Sequence, residues 1–176
     1  MLSLPGADIR PTSDRLRETL FDILTAGNPT ALEATTWIDL FAGTGAVGIE
    51  AVSRGAAMVY FVESSRRAAE LIRKNLTSLS SNANLEILNE EANRALAQLQ
   101  RGGIQADFVF LDPPYRLEQA YGATLEKLSD SSLLRTHGIA IAEHQKKFDP
   151  GERFGKLTRY RKLLQGDAAL SFYRLR

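Results

Sequence analysis

The chain has 176 residues, 44% of them hydrophobic, with 22 Lys and Arg against 21 Asp and Glu and no cysteine. That length fits one domain with a sizeable core, and the missing cysteines exclude disulfide frameworks, thiolate zinc sites and Cys nucleophiles. A formal charge of +1 argues against a chain held to nucleic acid by overall charge, so any basic surface must be local. The candidate clusters are Arg10, Arg15 and Arg17; Arg66, Arg67, Arg73 and Lys74; and Lys156, Arg159, Arg161 and Lys162. For any one of them a solvated helix or loop face is the favoured reading. The opening Met1 to Gly6 is broken too early by Pro5 and Gly6 for a signal peptide, and no apolar run reaches membrane-spanning length. We therefore expect a soluble cytoplasmic protein, which the absence of cysteine also suits.

Ser13 to Thr25 sets Leu16, Leu20, Phe21 and Leu24 at helical spacing behind Ser13 and Asp14 as capping candidates, which predicts an amphipathic helix against the main sheet. After a break at Gly27 to Pro29, strands are expected at 36–41, 58–63, 85–88, 108–111 and 138–143, with helices at 45–54, 65–78, 92–100 and 118–129. Such alternation of apolar strands with helices predicts a parallel sheet covered on both faces. The ending differs: strands at 157–161 and 169–175, joined by a turn at Gly166-Asp167 with no crossover helix, must run antiparallel. The expected fold is α/β, a mostly parallel seven-stranded sheet ending in an antiparallel hairpin with helices on both faces. It is similar to the class I methyltransferase variant of the Rossmann architecture. We expect one domain over 1–176, with 1–28 a helical N-terminal extension.

Between the first strand and its helix, Asp39-Leu40-Phe41-Ala42-Gly43-Thr44-Gly45-Ala46-Val47-Gly48 carries a G-x-G-x-x-G pattern. Glycines there let the chain turn sharply and let a ligand approach the backbone, but the pattern alone suits a dinucleotide, a methyl donor or a tight turn. Two carboxylates narrow it. Glu63 ends the second strand, where it can accept hydrogen bonds from both hydroxyls of an adenosine ribose. Asp39 precedes the glycines, where it can reach an ammonium group or fix the loop through backbone amides, and would repel a pyrophosphate. A zwitterionic amino-acid cofactor, S-adenosylmethionine, fits better than NAD. Glu91, with Glu90 as alternative, is assigned to the adenine region, and Phe41, Gly43, Thr44, Gly45, Gly48, Ser64 and Ala92 complete the cofactor set. No metal is expected.

Asp112-Pro113-Pro114-Tyr115 directly follows the apolar run Phe108 to Leu111, which places it at the carboxyl end of the sheet beside the glycine loop. An exocyclic amine on a base is a poor nucleophile because its lone pair is delocalised into the ring. Two acceptors that favour the pyramidal form remedy this, and the Asp112 carboxylate and Pro113 carbonyl can supply them. Asp112 also borders the donor, and general base is its second reading. Tyr115 would stack on the base, worth ~1–3 kcal/mol, after a paired base is flipped out or directly on a loop base. A rigid turn leaving a strand would use the same four residues, but the glycine loop and Glu63 upstream in order favour the chemical reading. His144, after Glu143, is left outside the site as a satisfied polar group.

Arg10-Pro11-Thr12-Ser13-Asp14-Arg15-Leu16-Arg17-Glu18-Thr19-Leu20-Phe21, Asp39 to Gly48, Phe61-Val62-Glu63, Asp107 to Tyr115 and, more loosely, Ala142-Glu143-His144 together resemble the bacterial 16S ribosomal RNA guanine methyltransferases of the RsmD type. The resemblance spans nearly the whole chain. It implies transfer of a methyl group from S-adenosylmethionine to a guanine 2-amino group, with ribosomal RNA in a small-subunit particle as partner and Thr12 near the cofactor. The same acceptors would serve adenine 6-amino methylation of DNA or RNA. A non-catalytic RNA-binding assembly factor would keep the fold but give Asp112 no task. Family members open with a Gly- and Arg/Lys-rich stretch that helps grip RNA, whereas the nine residues before Arg10 contain neither Lys nor Arg.

Overall fold

The computed structural model describes residues 11–79 and 81–176, with side chains from Asp14 onward. In chain order the elements are α1 (Pro11–Thr25), β1 (Thr36–Leu40), α2 (Ala46–Ser53), β2 (Met58–Val62), α3 (Arg66–Leu76), β3 (Asn84–Leu88), α4 (Ala92–Arg101), β4 (Ala106–Leu111), α5 (Glu118–Ser129), β5 (Leu134–Gln145), β6 (Arg153–Phe154), β7 (Leu157–Gln165) and β8 (Ala168–Leu175). They build one sheet in the order β3-β2-β1-β4-β5-β8-β7-β6. The first five strands are parallel, and β8, β7 and β6 join antiparallel. The order reverses between β1 and β4, the switch point at which the carboxyl ends of such sheets open a crevice.

Burial explains why these segments take these forms. β1, β2 and β4 are buried on both faces and so read as apolar runs. One face carries α1, α2 and α3 over Phe61, Phe108, Phe110 and Ile141. The other carries α4 and α5 over Leu40, Val62, Leu111 and Ala142. α1 is fastened by an aromatic stack in which Phe21 lies 5.4 Å from Trp37 and Trp37 lies 4.6 Å from Phe108. Such pairs add about 0.5–1.5 kcal/mol each beyond the area they bury. That stack ties the first helix to the two strands flanking the switch point.

Three expectations are corrected. The sheet has eight strands, not seven, because β6 pairs with β7 through only Arg153↔Thr158 and Phe154↔Leu157; two residues are too few for a period-two pattern. α1 begins at Pro11 rather than at a Ser13 or Asp14 cap, since proline's fixed φ suits the first helical turn. Asp14 instead pairs with Arg17 at 2.9 Å. β5 starts at Leu134, before the expected Gly138, with a register shift between Ala106 and Phe108 of β4. The Gly166-Asp167 turn joins β7 to β8 as expected, with Gly166 at φ 59°. Among the described residues no helix is long and apolar enough to cross a membrane.

Candidate active site

Parallel strands end together, so the residue following each strand meets its neighbours at one edge. Glu63 follows β2 and Asp112 follows β4, while Glu143, within β5, follows Ala142, the last residue that β5 pairs with β4. The loop between β1 and α2 lies in the middle. Phe41 takes φ 61° there, a left-handed conformation that costs a bulky residue of order 1 kcal/mol or more and tends to mark functional turns. Gly43 follows at φ 56° and Gly45 at φ 79°. The glycines have different duties. A Cβ on Gly43 would meet no atom closer than 4.0 Å, one on Gly45 would press on Ile72 and Phe61 at 3.3 Å, and one on Gly48 would collide with the Phe61 ring. Gly43 thus faces open space, while Gly48 lets α2 close onto β2.

Carboxylates hold this loop. Asp39, 2% exposed, accepts a hydrogen bond from the Gly48 N–H at 2.9 Å, the amide-fixing role allowed from sequence. Burial pushes its carboxyl up to about 7, against the lowering effect of that bond and with a smaller upward push from Glu63. Glu63 accepts from the Gly43 N–H and the Ser65 N–H, both at 2.8 Å, so one carboxylate fixes the glycine loop and the turn into α3. Asn89 donates to the carbonyls of Glu63 at 2.8 Å and Ser64 at 3.0 Å. Asn75 donates to the Thr44 carbonyl at 3.0 Å. Sequence reasoning singled out neither Asn, because an amide bonded to main chain leaves no pattern.

A cleft of about 520 Å³ opens here, lined by Phe41, Gly43, Glu63, Ser64, Glu91, Asp112, Pro113, Pro114, Tyr115, Arg116 and Leu117. It joins the glycine loop, the ends of β2 and β3 and the Asp-Pro-Pro-Tyr segment, four stretches far apart in sequence. Glu91 rather than Glu90 reaches it; Glu90 pairs with Arg94 at 3.5 Å. Thr44, Gly45 and Gly48 lie outside its lining, as does Ala92, buried at the start of α4. The side chain of Thr12 lies outside the described residues. Arg116 and Leu117 line the cleft without having been anticipated; an exposed Arg-Leu after a motif looks like any loop.

Asp112 is half-buried beside Pro113, which is buried, while Pro114 and Tyr115 are exposed. Burial first, then the charges of Glu143 and Asp39, hold its carboxyl well above the usual range. Glu143, named only loosely from sequence, is also pushed up by burial, to about 7, with Arg17 pulling the other way. Its signal was available: a carboxylate directly after the apolar run Ile139 to Ala142, as Asp112 follows Phe108 to Leu111. His144 is fully buried and bonded through Nε2 to Ser171 Oγ and through Nδ1 to the Gln145 carbonyl, each at 2.9 Å, the satisfied polar group expected.

A glycine loop after β1, an acid ending β2 and an Asp-Pro-Pro-Tyr turn after β4, on a parallel sheet closed by an antiparallel hairpin, define a protein of the class I methyltransferase fold. Residues 1–174 match the family described as Conserved hypothetical protein 95, and the chain belongs to that family. It is 31% identical over 174 residues to YlbH of Bacillus subtilis, whose name places it with the rRNA methyltransferases; the match covers 99% of this chain and 92% of its relative. With Ribosomal RNA small subunit methyltransferase D of Escherichia coli it shares 38% identity over 144 residues, 80% of this chain and 66% of that protein. The solved structure of yhhF from Escherichia coli superposes with a TM-score of 0.81 at 30% identity, covering 98% of this chain and 90% of that one.

Proposed function

We propose that the protein transfers a methyl group from S-adenosylmethionine to the exocyclic 2-amino group of a guanine in small-subunit ribosomal RNA. The observation that carries the reading is the shared cleft: Asp112, Pro113 and Tyr115 line the same space as Phe41, Gly43, Glu63 and Glu91. The proposed amine acceptor and the proposed adenosine-binding acid therefore line a single cavity. The donor set fits the cofactor, because Glu63 and Glu91 suit ribose hydroxyls and an adenine amine, while a pyrophosphate would meet carboxylates. When bound, S-adenosylmethionine supplies an electrophilic methyl on a sulfonium.

The chain's own residues do the rest. Glu63 is held by two N–H donors and so presents its remaining lone pairs in one orientation to the ribose. The Asp112 carboxylate and the Pro113 carbonyl accept the two amine N–H groups and draw the nitrogen toward a pyramidal form. Tyr115, 37% exposed at the rim, supplies a face for the base. The ribosomal RNA comes from the relatives' names and the guanine from the family resemblance alone; the acceptor geometry would equally hold an adenine 6-amino group. The test is transfer of labelled methyl from S-adenosylmethionine to small ribosomal subunits lacking the modification, with naked rRNA and DNA alongside and the product base identified by mass. Methylated guanine on rRNA is the expected result. Label on adenine would change the substrate, and no transfer despite donor binding would favour a binding protein with the same fold.

A further inference from the structure

Glu143 has no task in the reading above, yet the sheet sets it beside Asp112. Leu111↔Ala142 is the last registered pair of β4 and β5, so Asp112, directly after β4, and Glu143, within β5, are the next residues past it, where adjacent strands are spaced about 4.8 Å. Side chains alternate, and paired residues of a parallel ladder face the same way. Glu143 therefore falls on the face of Ile141, which is also the face of Phe110 and of Asp39, paired with Phe110, and Asp112, one residue past the end of β4, lies within reach of the charges of both acids. Asp39 and Glu143 thus lie beneath the helix layer that includes α1, with Asp112 at the end of the strand between them.

The geometry points to Glu143 as a positioning residue for Asp112: the two carboxyl groups share one proton and serve together as the acceptor that takes the N–H proton of the substrate amine. This rests on the proposed amino-methyl transfer. When the alkylated nitrogen is discharged, the N–H bond breaks with its electron pair left on nitrogen. The proton goes to the carboxyl pair, whose count rises from one to two, and water removes it afterwards. A lone buried carboxylate would be costly to hold ionised, and two would be costlier. One charge spread over two groups keeps an ionised acceptor at the cleft at a smaller cost.

The surroundings are consistent with a single net charge. Burial pushes both carboxyls upward, and the charge of Glu143 adds to that push on Asp112. From α1, Arg17 is the cation acting on Glu143, itself tied to Asp14 at 2.9 Å. From α5, on the other face of the sheet, Tyr121 reaches the strand end that carries the pair. The Tyr121 phenol is pushed up by burial and then by Asp112, Tyr115, Glu143 and Glu118, and its hydroxyl donates to the Glu143 carbonyl at 2.7 Å. On β8 the residue opposite Glu143 is the apolar Leu170, and His144 is turned to Ser171. Arg17 belongs to the Arg-Pro-Thr-Ser-Asp-Arg-Leu-Arg opening, so the family-specific motif acquires an electrostatic duty at the site.

The experiment is a carboxyl ¹³C NMR titration of the full chain without ligand, with the Asp112 resonance identified by its loss in Asp112→Asn. Sharing predicts that Asp112 titrates above the ordinary carboxylate range in two steps, as coupled groups do. In Glu143→Gln the curve should become a single step moved to lower pH, while Glu143→Asp, which keeps the charge, should stay close to wild type. A single-step Asp112 curve in the wild-type protein overturns the proposal even if Glu143→Gln does not fold, and so does an unmoved curve in a folded Glu143→Gln. With RNA as substrate, the acid limb of kcat/KM should shift to lower pH in Glu143→Gln. A two-step titration in a protein that methylates no nucleic acid would support the pair while removing the proposed function.

Discussion

Two groups of charged residues, one at the carboxyl ends of the parallel strands and one against the antiparallel strand β7, behave in opposite ways. At the cleft, Asp39, Asp112 and Glu143 are buried or half-buried acids whose carboxyls are all pushed up, because desolvation outweighs the stabilisation available to their charges. On the antiparallel side, Asp149 accepts from Arg159 at 2.6 Å, Lys162 at 2.8 Å and the Gly151 N–H at 2.9 Å. Its carboxyl is held far below the ordinary range, first by the Arg159 bond. Paired charge fastens the hairpin; poorly paired charge gathers where strands end at a cavity. The difference teaches which acids to assign to function, since strongly perturbed, under-compensated groups in a cleft are the better candidates for chemistry.

The contrast breaks first at Asp112. Replacing it with alanine should lower methyl transfer by about 10²-fold or more, the scale for removing one electrostatic group from a transition state, with donor affinity almost unchanged by equilibrium dialysis. Equal loss of donor binding and turnover would move Asp112 from the amine to the cofactor. Glu63→Ala should do the reverse and weaken donor binding about 10-fold, near 1.4 kcal/mol. Because Glu63 also holds the Gly43 and Ser65 amides, Glu63→Gln, which keeps one acceptor oxygen, should recover part of that loss. Unchanged affinity in both variants would leave Glu63 with only its loop-fixing role.

The sequence discloses these two regions unequally, for a physical reason. Strands buried on both faces and a glycine loop ahead of a helix follow from local composition, and Asp39, Glu63 and Asp112 stand out as acids at the edges of apolar runs. Glu143 stands at such an edge too, but its meaning depends on the neighbour that β4 supplies, which register alone provides. β6 is invisible because two residues carry no period, and its stability comes from Phe154 packing 5.8 Å from Tyr173. The Asp149 cluster joins residues 10 and 13 positions apart, brought together where the chain reverses from β6 into β7, a reversal not legible in the sequence because β6 itself carries no pattern. Gly48 fits the familiar pattern, yet it serves contact with Phe61, which no motif distinguishes from contact with a ligand.

Asp39 sharpens the comparison through pH. Its folded carboxyl is raised from 3.8 to about 7, so the folded state binds the proton more tightly than the unfolded chain. The resulting stabilisation is complete below about pH 4 and is lost as pH rises toward and through 7. Asn in its place can still accept from the Gly48 N–H but has no charge to desolvate. Chemical denaturation from pH 5 to 8 should therefore show Asp39→Asn losing less stability than wild type. Parallel pH curves for the two proteins would mean that Asp39 is charged and compensated in the folded state, removing it from the under-compensated group.

The smallest effect belongs to the well-paired cluster and carries the opposite sign. A depressed carboxyl contributes stability that is present above its unfolded value of 3.8 and is lost as pH falls through its folded one. Asp149→Asn should therefore be destabilised at neutral pH and converge with wild type in acid. Side-chain exposure of 46% for Asp149 screens the pairing, so the neutral-pH loss should stay within about 1 kcal/mol, as for other exposed ion pairs. Salt separates the two regions cleanly, since screening acts most on exposed charge. Raising ionic strength should shrink the Asp149→Asn difference and leave the Asp39→Asn difference nearly intact. If both shrank together, the acids at the cleft would be solvated like those on the hairpin, and their raised carboxyls would owe nothing to burial.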